Sequence, residues 1–359
     1  MIGFESAYLG KRVLVSGHTG FKGSWLSLWL NALGAEVAGI ALDPPAGPNH
    51  WELLKLPIND HRVDIRDEAA VRAVFASERP EIVFHLAAQP LVRRSYNEPV
   101  ITWGTNVMGT AHVLEAVRHT QEVRAVVVVT TDKCYENREW PWAYRERDRL
   151  GGHDPYSASK AGAELLAASY RSAFLQHPTA PLVATARGGN VIGGGDWSDD
   201  RLIPDLVRSV VSHEPLFIRS PRATRPWQHV LDCLSGYLLL GQQLLAGDTS
   251  CAEAWNFGPD GQGSRTVQQV LEGLALTWPH VRWQAASVSG PHEACMLQLD
   301  SAKAKAQLGW RPVWNFEEAI QYTASWYRRW LEAGEVSSDD QLAAYLRDAA
   351  ASGLGWAKA

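Results

Sequence analysis

The first half of this chain alternates short β-branched apolar runs with stretches of helical periodicity, and this pattern limits the possible folds more than any other feature. Residues 11–16 read Lys-Arg-Val-Leu-Val-Ser, a strand closed by a glycine loop, and residues 21–33 then space apolar side chains at the helical period. Residues 36–41 predict a second strand, which ends at Asp43 before the Pro44-Pro45 break. Residues 61–64, 81–86 and 123–130 predict further strands, with helices over 68–77 and 100–119 between them. A long helix over 156–176 and a strand over 181–186 follow.

Strands separated by helices need crossover connections, so the sheet is expected to be mostly parallel with helices on both faces. The expected class is α/β, a doubly wound Rossmann sheet. Beyond Arg187 glycine and proline become denser and the alternation lapses. Residues 1–187 are therefore expected to form a dinucleotide-binding domain, joined by a returning segment near 228–257. Residues 188–359 are expected to form a smaller substrate-binding lobe interleaved with it.

Composition excludes several classes of function. A net charge of -5 without a basic run offers nothing to neutralise a phosphate backbone, so no nucleic-acid partner is expected. No apolar stretch approaches the roughly 18–20 residues of a membrane span, and residues 1–20 lack the pattern of a leader. A cytoplasmic protein is expected. The cysteines at 134, 233, 251 and 295 form no CxxC pair and have no histidine at ligand spacing, which predicts free thiols and no metal. Only eight of the 34 basic residues are lysines, so a lysine within a motif carries more weight than usual.

Gly17-His-Thr-Gly20-Phe-Lys-Gly23 follows the first strand and opens the first helix. Glycines there let the backbone approach a pyrophosphate, whose charge the helix N-terminus favours. Gly17, Thr19, Gly20, Phe21 and Gly23 are thus candidates for cofactor binding. Asp43 stands 26 residues after Gly17, where a carboxylate can hold the adenosine ribose hydroxyls. It would repel a 2′-phosphate, and no Arg or Lys follows within residues 44–49, so NAD is expected over NADP. Asp64 and Ile65, and Leu86, Ala87 and Ala88, lie at the carboxyl ends of later strands, where a dinucleotide runs.

Tyr156-Ser-Ala-Ser-Lys160 sets a phenol and an ammonium one helical turn apart, the only Tyr and Lys at that spacing in the chain. A neighbouring cation lowers a phenol pKa from about 10, which suits Tyr156 to take a hydroxyl proton near neutral pH.

From the glycine loop through Tyr156 and Lys160 the chain resembles the extended short-chain dehydrogenase/reductase family. Residues 17–29, Thr131-Asp-Lys-Cys-Tyr135, 137–140, 189–197, 225–230 and 256–259 resemble its nucleotide-sugar 4,6-dehydratases, in particular those acting on CDP-D-glucose. Lys133 is the distinguishing mark, because the dTDP-sugar enzymes carry Asp-Glu where this chain has Asp132-Lys133. The resemblance implies oxidation of the sugar C4 hydroxyl with NAD, loss of water across C5 and C6, and return of the hydride to C6. It makes Tyr156 the first base, Lys160 its electrostatic partner and Thr131 a ligand to O4. Lys133 becomes the C5 base, which needs its pKa brought down from about 10.4, and Asp132 the acid at O6.

The second lobe is expected to hold the nucleotide sugar, with Arg201, Arg219 and Arg225 as candidates for the diphosphate because guanidinium presents paired donors to phosphate oxygens. Gln89 is a further substrate candidate, and Asn190 and His229, inside the family-like segments, are candidates to touch the sugar or phosphates. Asn190 reads equally as a turn cap and His229 as a core histidine. His292-Glu293 also fits the subfamily and has no assigned role. Trp140, Trp142, Trp197 and Trp227 read as packing rather than base stacking. The family further implies a homodimer or homotetramer and a product feeding deoxysugars of surface polysaccharide such as lipopolysaccharide O-antigen. Three alternatives remain at this stage, one of them the same dehydratase chemistry on another nucleotide sugar. A nucleotide-sugar 4-epimerase needs Tyr156, Lys160 and NAD but has no use for Asp132-Lys133; a cofactor-sensing regulator needs none of the four.

Overall fold

The computed structural model describes residues 3–260, 264–286 and 296–358; His292, Glu293 and Cys295 lie outside them. The strands are β1 (Arg12–Ser16), β2 (Glu36–Ala41), β3 (Asn59–Arg62), β4 (Ile82–His85), β5 (Ala125–Thr131), β6 (Leu182–Gly188), β7 (Asn190–Ile192), β8 (Leu216–Ile218), β9 (Thr224–His229), β10 (Ala254–Phe257), β11 (Ser264–Thr266) and β12 (Trp283–Ala285). The α-helices are α1 (Phe21–Ala32), α2 (His50–Leu54), α3 (Glu68–Glu78), α4 (Val92–Asn97), α5 (Pro99–Trp103), α6 (Gly109–Arg118), α7 (Pro155–Ala173), α8 (Leu202–Ser212), α9 (Val230–Leu245), α10 (Val267–Thr277), α11 (Phe316–Ala333) and α12 (Ser338–Ala351).

Seven strands form one parallel sheet in the order β10-β6-β5-β4-β1-β2-β3, the doubly wound arrangement expected from the alternation. Its central strands are apolar throughout because helices cover both faces: β5 reads Ala-Val-Val-Val-Val-Thr-Thr and is buried at every position. The strand order reverses at β1, which pairs β2 on one side and β4 on the other, so a crevice opens beyond the carboxyl ends of β1 and β4. β10 returns late in sequence and adds to β6. Helix α1 buries Trp25, Trp29, Leu26 and Leu30 against the same core that receives the second lobe.

The stretch expected as one helix over 100–119 is divided. Pro99 opens α5, a π-turn over Gly104–Met108 follows, and α6 begins at Gly109. The extra residue in that turn accompanies a buried Asn106, whose amide binds the backbone N–H and carbonyl of Gln89 and the Ser159 hydroxyl. Periodicity alone does not report such a turn, because the apolar spacing runs through it.

The chain beyond Arg187 is less irregular than its glycine and proline content suggests. Its three-stranded sheet, ordered β11-β9-β7, is covered by α11, while α12 packs against α1. Helix α11 starts with a reciprocal Asn315 and Glu318 capping box and buries Ala319, Ile320, Thr323, Ala324 and Tyr327 along one stripe. Among the described residues no helix is long and apolar enough to cross a membrane.

Candidate active site

Strand β5 delivers Thr131 to the crevice, and the chain turns immediately into a single 3₁₀ turn over Asp132–Cys134. Thr131 Oγ1 accepts from the Lys133 backbone N–H at 3.3 Å and donates to Asp132 Oδ1 at 2.9 Å. Asp132 is 1% exposed, and its Oδ2 has no partner among the described residues. Burial raises its carboxyl pKa above the usual range, against the pull of Lys133, Thr131, Arg225 and Lys22. Such a carboxyl tends to keep its proton, the state a general acid needs.

Pro155 and the Asp154 cap, which accepts from the Ser157 N–H at 2.9 Å, start α7 so that Tyr156 lies in its first turn and Lys160 one turn on. Both are buried. The phenol differs from expectation: burial pushes it up to about 12, partly offset by a hydrogen bond with Thr131 and by the Arg201 guanidinium. The Lys160 ammonium, one turn on, donates to the Val129 carbonyl at 3.1 Å. Burial, then Lys22, bring Lys160 itself down to about 8.

The glycine loop fits a dinucleotide. Gly17 has a φ of +78°, and a Cβ there would meet the Ala87 backbone nitrogen at 2.8 Å; a Cβ on Gly23 would lie 2.0 Å from the Gly17 carbonyl oxygen. The two glycines thus hold β1, the loop after β4 and α1 in close approach. Helix α1 begins at Phe21 behind Gly20 with no side-chain cap and no acidic residue in its first turn, leaving its amino end open to an anion. Ser16 Oγ accepts from the Leu86 and Ala87 N–H groups, both at 3.1 Å, and fixes the loop through half-buried Ala88. Thr19 Oγ1 donates to the Leu42 carbonyl.

At the ribose end Asp43 is exposed rather than buried, and the local charge differs from the sequence expectation. Arg62, from the neighbouring β3, brings Nε to 3.8 Å from Asp43 and donates to Leu42 O and Asp60. The absence of a cation in residues 44–49 therefore does not leave Asp43 without one. The parallel strand supplies it, and that contact depends on the register of β2 with β3, which local sequence does not display. Asp64 is engaged by Arg66, and the Ile65 carbonyl by His112 Nδ1 at 2.9 Å.

The six residues expected to meet a nucleotide sugar fall into two groups. Arg201, beside Tyr156, pairs with Asp196 at 3.1 Å; Arg225 lies near enough to Asp132 to act on its charge; half-buried Asn190 pairs with Trp227; Arg219 is exposed just beyond β8. Gln89 and His229 are otherwise occupied. The Gln89 amide binds Leu91 and Thr102. His229 caps α9 through Nδ1 and sits in the core against Trp314, its ring centroid 4.6 Å away, with a pKa brought down to about 3 by burial. Of the four tryptophans, Trp227 is buried and Trp197 packs on Trp326, whereas Trp142 is exposed. Cys134, Cys233 and Cys251 are buried free thiols, and no cluster of possible metal ligands occurs among the described residues.

Lys22 carries no motif role in the sequence, yet from the start of α1 it reaches the candidate catalytic residues. Its Nζ is 3.4 Å from the Tyr237 hydroxyl, and its charge acts on both Lys160 and Asp132. The scarcity of lysine is the one signal that could have found it. Glu164 and Arg187, paired at 2.7 Å beneath the site, leave no local signal because the group they join comes from α7, β5, β6 and the segment before α7.

Comparison with known proteins agrees with this geometry. A family model described as GDP-mannose 4,6 dehydratase matches residues 14–323. The CDP-glucose 4,6-dehydratase of Salmonella typhimurium is 46% identical over 353 residues, 95% of this chain and 98% of the relative. The dTDP-glucose 4,6-dehydratase of Streptomyces antibioticus is 33% identical, covering 74% of this chain and 75% of its own. Among solved structures, the UDP-glucose 4-epimerase of Thermus thermophilus, a complex with NAD, superposes with a TM-score of 0.75 at 25% identity, covering 88% of this chain and 98% of that one. With a parallel seven-stranded sheet, a glycine loop at its switch point and a Tyr156–Lys160 helix beside Thr131, the chain belongs to the GDP-mannose 4,6 dehydratase family of the extended short-chain dehydrogenase/reductases.

Proposed function

We propose that this chain converts CDP-D-glucose to CDP-4-dehydro-6-deoxy-D-glucose. The observation that carries the reading is the buried Asp132, held by Thr131 with Oδ2 unpartnered among the described residues and next in sequence to Lys133, beside Tyr156. An epimerase requires no such acid. The 46% identical CDP-glucose dehydratase supports the nucleotide and the sugar together.

When bound, NAD would supply the hydride acceptor for oxidation at C4 and the hydride donor for C6, with no net consumption of cofactor. Gly17, Thr19, Gly20, Phe21 and Gly23 would hold its pyrophosphate, Asp43 its ribose, and Asp64, Ile65, Leu86, Ala87 and Ala88 would line the remainder. Tyr156 accepts the C4 hydroxyl proton, while Thr131 orients O4. A phenol near 12 needs cationic help to do so: the Arg201 guanidinium acts on it, and Lys160 stands one helical turn away. Once C4 is a ketone the C5 hydrogen becomes acidic. Lys133 removes it, and Asp132 delivers a proton to the departing C6 hydroxyl. Arg201, Arg219 and Arg225 with Asn190 take the diphosphate and sugar; Gln89 and His229 act through the scaffold.

The chain works as a homodimer in the cytoplasm, in a pathway to deoxysugars of surface polysaccharide. Val100, Trp103 and Met108, around the π-turn, and Leu165 on α7 are exposed apolar residues on two helical segments that pack together. Sedimentation of the parent and of Leu165→Lys tests this, a monomeric parent being the contrary result.

Incubation with CDP-, dTDP-, UDP- and GDP-glucose, followed by mass spectrometry, tests the reaction. Loss of one water from CDP-glucose alone, with C4 deuterium recovered at C6 of the same molecule, is expected. A product of unchanged mass with inverted C4 would establish the epimerase instead.

A further inference from the structure

Beneath the catalytic helix lies a buried ionic cluster that the reaction above does not use. Glu164 stands one turn after Lys160 and two after Tyr156 on the same face of α7, and is 2% exposed. Its Oε1 accepts from the Thr130 hydroxyl; its Oε2 accepts from the Thr185 hydroxyl at 2.7 Å and from Arg187 Nη2 at 2.7 Å. Thr130 and Arg187 face each other across β5 and β6. Arg187 in turn donates to the Tyr135 hydroxyl at 2.7 Å and to Glu146 O at 3.0 Å. One carboxylate thus joins α7, β5 and β6, and through Arg187 the segment that follows the catalytic turn.

Removing a buried ion pair from water is costly, and packed apolar residues often serve stability as well. The position of this pair suggests another use. Thr130 immediately precedes Thr131, Asp132 and Lys133, so the Glu164 bond fixes the strand end from which all three project. We infer that Glu164 is a positioning residue of the catalytic centre, holding the strand end at Thr130 and stabilising the charged form of Lys160 one helical turn above it. This inference rests on the assignment of Lys160 and Tyr156 to C4 oxidation. The groups that face Lys160 are Lys22 from α1, His85 from β4, Cys134 from the catalytic turn, and Tyr156 and Glu164 from α7. Lys22 opposes its charge and Glu164 favours it.

The test compares the parent, Glu164→Gln and the double variant Glu164→Leu with Arg187→Met, which leaves no unpaired buried cation. Lys160 ionisation is followed by NMR of labelled lysine side chains, assigned with Lys160→Met; eight lysines in the chain keep the spectrum simple. Single-turnover formation of reduced cofactor is measured in parallel across pH. In both variants Lys160 is expected to lose its proton at lower pH than in the parent, and the alkaline limb of hydride transfer to move down with it. The maximal rate should fall roughly tenfold or more, as for a misplaced catalytic group, with substrate KM changed less than about twofold. Glu164→Asp should restore the limb, since it keeps the charge. A variant that melts at lower temperature but keeps the parent titration and limb would make Glu164 merely structural and overturn the inference. A double variant with parent titration would do the same even if Glu164→Gln does not fold. A parent that produces no reduced cofactor with any nucleotide sugar counts against the dehydratase reading, whereas the titration still decides the role of Glu164.

Discussion

Thr131 Oγ1 donates to Asp132 Oδ1 at 2.9 Å, which satisfies one carboxyl oxygen and leaves the other buried without a partner among the described residues. The hydroxyl proposed to orient the sugar oxygen therefore also holds the carboxyl proposed as the acid. Because burial raises the Asp132 pKa, its protonated form persists to higher pH than that of an ordinary aspartate, and the elimination step should slow as pH rises through that raised value. Asp132→Asn should retain C4 oxidation while water loss slows by roughly 10²–10⁴, the usual worth of a positioned acid. Rapid-mixing measurement of reduced cofactor against product checks it. Equal loss in both steps would remove Asp132 from the acid role.

Lys133 should be separable from Tyr156 by the same measurement. Lys133→Met keeps much of the side-chain length and removes the base, so reduced cofactor should accumulate while solvent deuterium no longer enters at C5. Tyr156→Phe should give neither signal. If Lys133→Met dehydrates CDP-glucose at the parent rate with normal deuterium uptake, the C5 base lies elsewhere.

The sheet and the catalytic helix are legible in the sequence because their signals are local. Apolar runs such as 125–129 and the Tyr156–Lys160 spacing need no knowledge of partners. The contacts that tune the site are long-range and are not legible. Arg62 reaches Asp43 only through the β2 and β3 register, Glu164 meets Thr130, Thr185 and Arg187 only when α7 lies on β5 and β6, and Lys22 meets Tyr237 across 215 positions. His229 shows the converse. Its motif suggests a ligand contact, but the fold uses it as a helix cap between tryptophans.

Arg62 also changes what Asp43 is expected to do. A carboxylate alone at the ribose would meet a 2′-phosphate as a like charge, whereas a guanidinium 3.8 Å away offsets part of that repulsion. Because Asp43 and Arg62 are largely solvated, the preference for NAD should be moderate. Asp43→Ala should narrow the ratio of NADP to NAD dissociation constants, and Arg62→Ala should widen it, each by roughly three- to tenfold. Direct titration of the protein with both cofactors decides it, and an unchanged ratio in both variants would place discrimination elsewhere.

A second buried carboxyl predicts the pH dependence of stability. Asp232 on α9 accepts from the Val313 N–H at 2.6 Å and the Tyr345 hydroxyl at 2.8 Å, which ties α9 to the segment before α11 and to α12. Burial raises its pKa to about 7, and its Oδ2 has no partner among the described residues. The folded chain therefore retains a proton that the unfolded chain loses near pH 4. Its contribution is complete below about pH 4 and is lost as pH rises through the folded value near 7, by up to about 4 kcal/mol over that interval. Asp232→Asn cannot ionise. Its thermal midpoint relative to the parent should therefore rise between pH 4 and 7 and hold constant above. Thermal unfolding of both proteins across that range is the measurement, and a constant difference would show that Asp232 does not titrate there.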